Sequence, residues 1–259
     1  MPRASFITPN WPAAPWIKAY TTTRYAGGTS LAPYDGLNLA AHAGDIPAVV
    51  NANREFVKQA LAIPSEPAWL AQPHGAQVID PGTDDGRTAD GACTRNPNTV
   101  CVVMTADCLP ILICDRAGTQ VAGLHGGWRG LAGGIIDAGL ERMQCKAGEI
   151  LAWLGPAISA RHYEVDAPVR DQVLARYSSC HQAFEASRAG HWFFDLYAAA
   201  RTLLASGGVE AVYGGAFCTY AEPERFFSYR RDGVTGRMAS FIWIDKIRNQ
   251  SQMLAERMA

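Results

Sequence analysis

The stretch from Thr99 to Cys114 constrains this chain more than any other. It holds two β-rich, apolar runs, Thr99 to Thr105 and Leu109 to Cys114, joined by Ala106-Asp107-Cys108. A strand with one wet face alternates polar and apolar residues, whereas a run without alternation fits a strand covered on both faces. The pair therefore predicts a sheet buried between other layers. Shorter runs of the same kind lie at Gln120 to Leu124, Ile150 to Leu154 and Ser240 to Asp245, each bounded by turn residues.

Helical patterns separate these runs. Asp45 is expected to cap a helix with Pro47 in its first turn, and Val49, Val50, Phe56, Val57, Ala60 and Leu61 keep helical spacing until Pro64. A second helix is expected from Leu131 to Met143, with Leu131, Ile135, Ile136 and Leu140 on one face, and a third from near Pro168. Asp195 should cap a fourth, Leu196 to Ala205, stopped by Gly207-Gly208. No repeat or linker divides the chain. The expectation is an α/β (α+β) protein with mixed β-sheets flanked by helices, a single domain over residues 1–259.

Charge and cysteine usage narrow the partners. With 23 Lys+Arg against 24 Asp+Glu and a net charge of −1, the chain has no basic field for a nucleic-acid backbone or an anionic membrane. Seven scattered cysteines without a CxxC spacing read as reduced thiols of a cytoplasmic protein. The opening MPRASFITPNWPAAPW breaks its apolar residues with Pro and Asn and lacks the continuous apolar stretch of a signal peptide. The apolar run at 100–114 contains Asp107 and Pro110 and is shorter than the roughly 20 residues of a membrane span.

Three segments look like site rather than scaffold: Gln72-Pro-His-Gly-Ala-Gln77, Thr105-Ala-Asp-Cys-Leu-Pro110 and Leu124-His-Gly-Gly-Trp-Arg-Gly130. Each places a metal-capable or nucleophilic side chain beside Pro or Gly at a strand end, where α/β folds keep reactive groups. His74 taken singly also reads as a loop histidine satisfied by a backbone carbonyl, and Cys108 as a small buried hydrophobe. Asp107 weakens that reading, because a carboxylate between apolar strands is costly without a partner. Arg129, in a glycine-rich run before the expected second helix, could clamp an anion bidentately or pair with a surface carboxylate.

Taken in order, TADCLPILICDRAGTQVAGLHGGWRGLAGG (105–134), QPHGAQV before it, and LAWLGPAI, CTY and FFSYRRDGVTGRMASFIW after it resemble the YfiH family. That family is also called the polyphenol-oxidase or laccase-domain family, the purine nucleoside phosphorylase family and peptidoglycan-editing factor. The similarity reaches from TTTRYAGG and PYDGLNLA to the last strand. It implies a cysteine-hydrolase-like α/β architecture and one zinc bound by His74, Cys108 and His125 with a fourth position open, the arrangement of catalytic zinc. It also implies phosphorolysis of adenosine, inosine and methylthioadenosine and deamination of adenosine, with a link to peptidoglycan precursors.

For phosphorolysis, Arg129, Arg54 and Arg230 are candidate phosphate ligands and Asn38 a hydrogen-bonding substrate ligand. A deaminase needs a proton shuttle in place of the usual H-x-E glutamate, and Asp107 is the nearest carboxylate to Cys108 in sequence. Two readings compete. Copper could take the same two His and one Cys and oxidise phenols, although six histidines without an HxH pair argue against a multicopper cluster. Without metal, Cys108 and His125 could act as nucleophile and base on a cell-wall precursor. Purine nucleosides and phosphate are the expected partners of a monomer or small homo-oligomer.

Overall fold

The computed structural model describes residues 6–245. The ends of the expected single domain, residues 1–5 and 246–259, lie outside the described residues. A six-stranded sheet runs in the order β11 (Ala211–Gly214), β7 (Ile150–Leu154), β5 (Leu109–Asp115), β6 (Val121–Gly126), β3 (Gly91–Thr94) and β2 (Val78–Ile79). It is mixed, with β11–β7 and β3–β2 parallel and the three central pairings antiparallel. A three-stranded antiparallel sheet is formed by β1 (Ile17–Thr21), β12 (Met238–Ile244) and β4 (Cys101–Thr105).

The side-chain periodicity of β5 shows why its sequence does not alternate. Leu109, Ile111 and Ile113 pack with Leu131 and Ala132 of α2 (Trp128–Gly133), Ile135 and Ile136 of α3 (Ile135–Arg142), Val173 of α4 (Ala167–Arg176) and Leu203 of α5 (Leu196–Ser206). Leu112 and Cys114 point the other way, toward Ile17, Ala19, Ile242 and Ile244 of the smaller sheet. That sheet's far face, with Val102, Met104, Phe241 and Trp243, is covered by Val57 of α1 (Pro47–Ala60) and by Leu37 and Leu39 of the segment before it. Four layers result, helix on sheet on sheet on helices. Both sheets are thus dry on both faces, as the runs at 99–114 demanded. A third, small sheet of β8 (Glu164–Asp166), β10 (His191–Phe194) and β9 (Phe184–Ala186) flanks the helical side through Val165 and Phe194.

The structure corrects two helix expectations. Ile46, not Asp45, is the N-cap of α1. Asp45 instead accepts from the Ile46 N–H at 2.7 Å, Ser30 Oγ at 2.6 Å and Asn38 Nδ2 at 2.9 Å. The single helix expected over 131–143 is two helices that begin at Trp128 and break at Gly134, whose φ of +94° ends α2. Asp166 caps α4 and Asp195 caps α5, the latter accepting from the Ala198 N–H at 3.0 Å.

One consequence of the layering places the site. β4 belongs to the smaller sheet and β5 to the larger one, so Ala106-Asp107-Cys108 is the crossing from one sheet to the other. The register of β5 on β6 sets Leu109 opposite Gly126 and Pro110 opposite His125. Cys108 is therefore delivered to the end of β6 where His125 sits.

Candidate metal centre

His74, Cys108 and His125 come together from segments far apart in sequence, with their ligand atoms all within 4.8 Å of one another. For tetrahedral zinc at bond lengths of 2.0–2.3 Å, ligand atoms are separated by roughly 3.3–3.8 Å, so a small closure of the three side chains suffices. The two imidazoles meet edge to face, ring centroids 4.8 Å apart. His125 lies within β6 and is buried, Cys108 is half-buried in the turn, and His74 is exposed.

Asp90 organises the trio, and sequence reading missed it. Fully buried, it stands beside His125 because β3 and β6 pair antiparallel from Gly91–Leu124 onward, and the His125 N–H donates to the Asp90 carbonyl at 2.7 Å. Its Oδ1 takes His125 Nδ1 at 2.8 Å and the His74 N–H at 2.9 Å, and its Oδ2 takes the Gly75 N–H. An ionised carboxylate only accepts, so His125 Nδ1 carries the proton and Nε2 is left for a ligand role. The same carboxylate holds the backbone of His74 at a φ of +66°, a conformation uncommon for a residue with a Cβ. The cue was present in sequence: Thr88-Ala89-Asp90 repeats the Thr105-Ala106-Asp107 pattern ahead of a second apolar strand.

The loops fit around one another with no spare room. Gln72 clips its loop to the end of β4, its Oε1 accepting from the Met104 N–H and its Nε2 donating to the Met104 carbonyl, both at 2.8 Å. A Cβ on Gly127 would lie 2.9 Å from Cys108 Sγ and 3.4 Å from His74 Cδ2, and one on Gly130 would meet the carbonyls of His125 and Gly75 at 3.0 and 3.1 Å. The glycines of the 126–130 run thus serve the approach of neighbouring loops. Electrostatics also favours a cation among these donors. Burial alone would push the Cys108 thiol up, but His125 and His74 pull it down to about 6. Burial would lower His125, but Cys108 and Asp90 raise it to about 9. Two imidazoles, one thiol readily ionised and a cradle that excludes even a methyl group suit a single borderline-soft ion.

The trio floors a cavity of about 510 Å³ whose rim carries His42, Trp128, Arg129, Tyr163, Tyr229, Arg230 and Arg237. Of these, only Arg129 and Arg230 stand out in the sequence. Arg129 lies inside α2 at its second position rather than ahead of a helix. Its guanidinium stacks on the Trp128 ring at 4.4 Å and has no carboxylate or carbonyl partner among the described residues. Arg230 donates from Nη1 to the Glu164 carbonyl at 3.0 Å and lies over Tyr163 at 5.0 Å. Arg237 donates to the carbonyls of Thr235 and Gly236, and burial lowers its pKa from the usual arginine value.

Two expected substrate ligands are not at the cavity. Asn38 is fully buried: Nδ2 donates to Asp45, and Oδ1 accepts from the Ala40 and Arg237 N–H groups at 3.0 Å each. Its carboxamide is consumed in building the loop that carries Arg237. Arg54 is neither a cavity residue nor a solvated surface charge. It lies 3.9 Å over the Trp69 ring and donates to the Leu39 carbonyl at 2.9 Å. Asp107 does line the cavity, at a φ of +89°, but both carboxylate oxygens are occupied. Oδ1 accepts from Thr219 Oγ1 and Oδ2 from the Arg230 N–H, each at 2.6 Å.

Residues 18–245 match the family described as multi-copper polyphenol oxidoreductase laccase. A Shigella flexneri protein named purine nucleoside phosphorylase YfiH is 47% identical over 243 residues, which is 93% of this chain and 99% of the relative. A crystal structure from Neisseria meningitidis superposes with a TM-score of 0.89 at 46% identity, covering 93% of this chain and 99% of that one. Another from Bacillus licheniformis, a hypothetical protein YfiH, gives 0.83 at 29% identity, covering 94% and 98%. Among the described residues no helix is long and apolar enough to cross a membrane.

Proposed function

The chain belongs to the YfiH family, that of the multi-copper polyphenol oxidoreductase laccase description, and from that premise we propose that it is a zinc-dependent purine nucleoside phosphorylase of the cytoplasm. Its substrates are adenosine, inosine and methylthioadenosine with phosphate as the second reactant. One observation carries the reading: Arg129, an arginine fork with no carboxylate or carbonyl partner among the described residues, stands on the rim of the cavity that the His/Cys/His trio floors. Phosphorolysis needs an anion and a nucleoside in one pocket, whereas hydrolysis or deamination needs no anion.

His74, Cys108 and His125 would hold the zinc, which supplies Lewis acidity and a lowered pKa for coordinated water. Arg129 and Arg230 receive phosphate, Arg129 through its free fork. Tyr163, Tyr229 and Trp128 offer aromatic faces to the purine. In the reaction a phosphate oxygen bonds to the ribose C1′ as the bond to the purine nitrogen breaks. The protein's part is to align the two and to exclude water. Asp107, tied to Thr219 and to the Arg230 backbone, fixes the turn that presents Cys108 and anchors Arg230, a positioning role that supports neither a general base nor a proton shuttle.

Adenosine deamination in the same cavity is the second reading and would need a proton shuttle other than Asp107, whose oxygens are both occupied; action on peptidoglycan precursors would follow from the family. Copper is the less suitable ion. A blue-copper site adds a weak axial thioether; Met104 lines the same cavity, but its sulfur is engaged by Arg54 Nη2 at 4.0 Å and would have to leave it to take that place. The six histidines of the chain yield one His/Cys/His group among the described residues, too few for a multicopper cluster. The deciding experiment is a product assay with adenosine, with and without phosphate. Adenine and ribose-1-phosphate, formed only when phosphate is present, are expected; inosine alone at an unchanged rate without phosphate would overturn phosphorolysis.

A further inference from the structure

The seven cysteines differ sharply in surroundings. Cys93, Cys101, Cys114 and Cys180 are buried. Burial pushes all four thiols up, Cys93 to about 11 and Cys114 to about 12. Cys145 is half-exposed, yet burial, Asp115 and Glu149 raise it too. Cys108 belongs to the metal centre. Cys218 is half-buried and opens on a second cavity of about 440 Å³ that shares no lining residue with the first.

Around Cys218 Sγ the structure sets a base and two donors. His162 Nδ1 lies 3.4 Å from the sulfur. Ser159 donates to it from Oγ at 3.0 Å and from its N–H at 3.5 Å, and Ser159 Oγ is itself 3.3 Å from His162 Nδ1. The imidazole is held in place by stacking on Tyr220, centroids 4.6 Å apart and planes 17° from parallel. A nucleophile with a positioned proton acceptor, opening on a cavity, has the layout of an activated thiol. None of these three side chains has a part in the metal centre or its rim.

Their backbone neighbours do. Ser159 follows Ile158, whose N–H donates to the Asp107 carbonyl at 2.9 Å, and Cys218 precedes Thr219, whose hydroxyl holds Asp107 Oδ1. The Thr219 N–H also donates to the Ala157 carbonyl at 3.0 Å. The Ser159–Cys218 contact thus closes a ladder between two segments, and the strained Asp107 turn hangs from both.

We propose that Cys218 is a second reactive centre, a thiol oxidised by hydroperoxides with His162 as its proton acceptor, whose oxidation loosens the Asp107 turn. In the step, the thiol proton passes to His162 Nδ1 and the sulfur attacks one peroxide oxygen. The S–O bond forms as the O–O bond breaks. The sulfur loses two electrons to the peroxide, and the departing hydroxide leaves as water with the proton from His162. The product, a sulfenic acid, no longer fits between Ser159 and His162 as the thiol does.

The test treats the metal-loaded full chain with hydrogen peroxide, traps sulfenic acid with dimedone and maps it by mass spectrometry. Cys218 should be labelled before the other six cysteines with bound metal unchanged, and amide exchange over residues 106–109 should rise. His162→Gln should slow labelling by about tenfold, less than the 10²–10⁴ of a positioned base because a thiol ionises partly unaided. Only the activity readout rests on the function proposed above: turnover should fall about fivefold, the effect of one ordinary hydrogen bond, and Cys218→Ser, whose hydroxyl can still accept from Ser159, should keep its activity and resist peroxide. First labelling at Cys108 or Cys145, or unchanged exchange at 106–109 with Cys218 fully oxidised, would overturn the proposal. If labelling and exchange behave as expected but nucleosides are not turned over at all, the function has failed and the reactive thiol has not.

Discussion

The floor and the rim of the main cavity are built on different principles. On the floor, short side chains are held by backbone: Asp90 grips the chain at His74 and Gly75 while orienting the His125 ring, Gln72 clips its loop to Met104, and Gly127 lets Cys108 approach. On the rim, Arg129, Arg230 and Arg237 extend over aromatic rings of their own segments or neighbours. A floor fixed at several points cannot shift to accommodate a substitution, whereas a long guanidinium stem can. Floor substitutions should therefore act as near all-or-none losses, and rim substitutions as graded ones.

Cys108→Ala is the most severe way to try this distinction. Removing one of three ligands should abolish stoichiometric zinc and activity, measured by metal analysis of the purified protein. The fold should survive by circular dichroism, because Cys108 sits in the turn between sheets and not among the packed side chains of either. Full zinc retention would remove Cys108 from the floor. Next in size is Asp90→Asn. The amide can still accept, but it presents N–H groups where the carboxylate took donors on both oxygens. Zinc affinity should weaken by about 10–100-fold, as for other partners of a ligating histidine. The chelated protein should also lose about 1.5–3 kcal/mol from the charged hydrogen bonds, read by urea unfolding. Wild-type zinc affinity would show that His125 needs no orienting partner.

What could be read from sequence divides along the same line. The buried strands at 99–114 were legible because their apolar residues are contiguous, and the His74, Cys108 and His125 segments because each couples a reactive residue to Gly or Pro. Asp90 was not read: its Thr-Ala-Asp triplet marks an acid ahead of a strand, but its work depends on β3 lying beside β6, and the triplet does not tell that Asp90 meets His125, thirty-five residues on. Arg237 and His42 were hidden for the same reason. Asn38 and Arg54 misled in the opposite sense: a polar residue in a family-like motif suggested a ligand, and folding spent both on carbonyls, an aromatic ring and the Arg237 loop. The break at Gly134 was visible as a glycine pair, but the apolar spacing through it implied one continuous helix.

Asp107 stands between floor and rim, next to Cys108 and bonded to the Arg230 N–H, so Asp107→Asn sharpens the boundary. The substitution leaves one of two occupied oxygens as an amide. Thr219 can turn its hydroxyl to accept, but the Arg230 N–H cannot reverse. With its oxygen on the Arg230 N–H and its amide on Thr219, asparagine turns two charge-assisted bonds into neutral ones, so zinc content should be retained, stability should fall by about 1–2 kcal/mol, and the larger kinetic effect should appear in KM for phosphate through Arg230. A 10²-fold fall in kcat with unchanged stability would instead mark a proton-transferring group.

The smallest effect is expected at Arg129, and it tests the rim most directly. Lysine in its place keeps the charge but loses the planar fork and the stacking on Trp128. The flexible ammonium can still reach an anion in the cavity mouth, since nothing in the described residues competes for it. KM for phosphate should therefore rise by about three- to tenfold, the net effect of one ordinary hydrogen bond since the charge is kept, with kcat and zinc content near wild type. Any phosphate-independent reaction of adenosine should be unaffected, because it offers Arg129 no anion to hold. Equal losses in both reactions would mean that the guanidinium supports α2 through Trp128, and the phosphate would then have to be held by Arg230 and Arg237 alone.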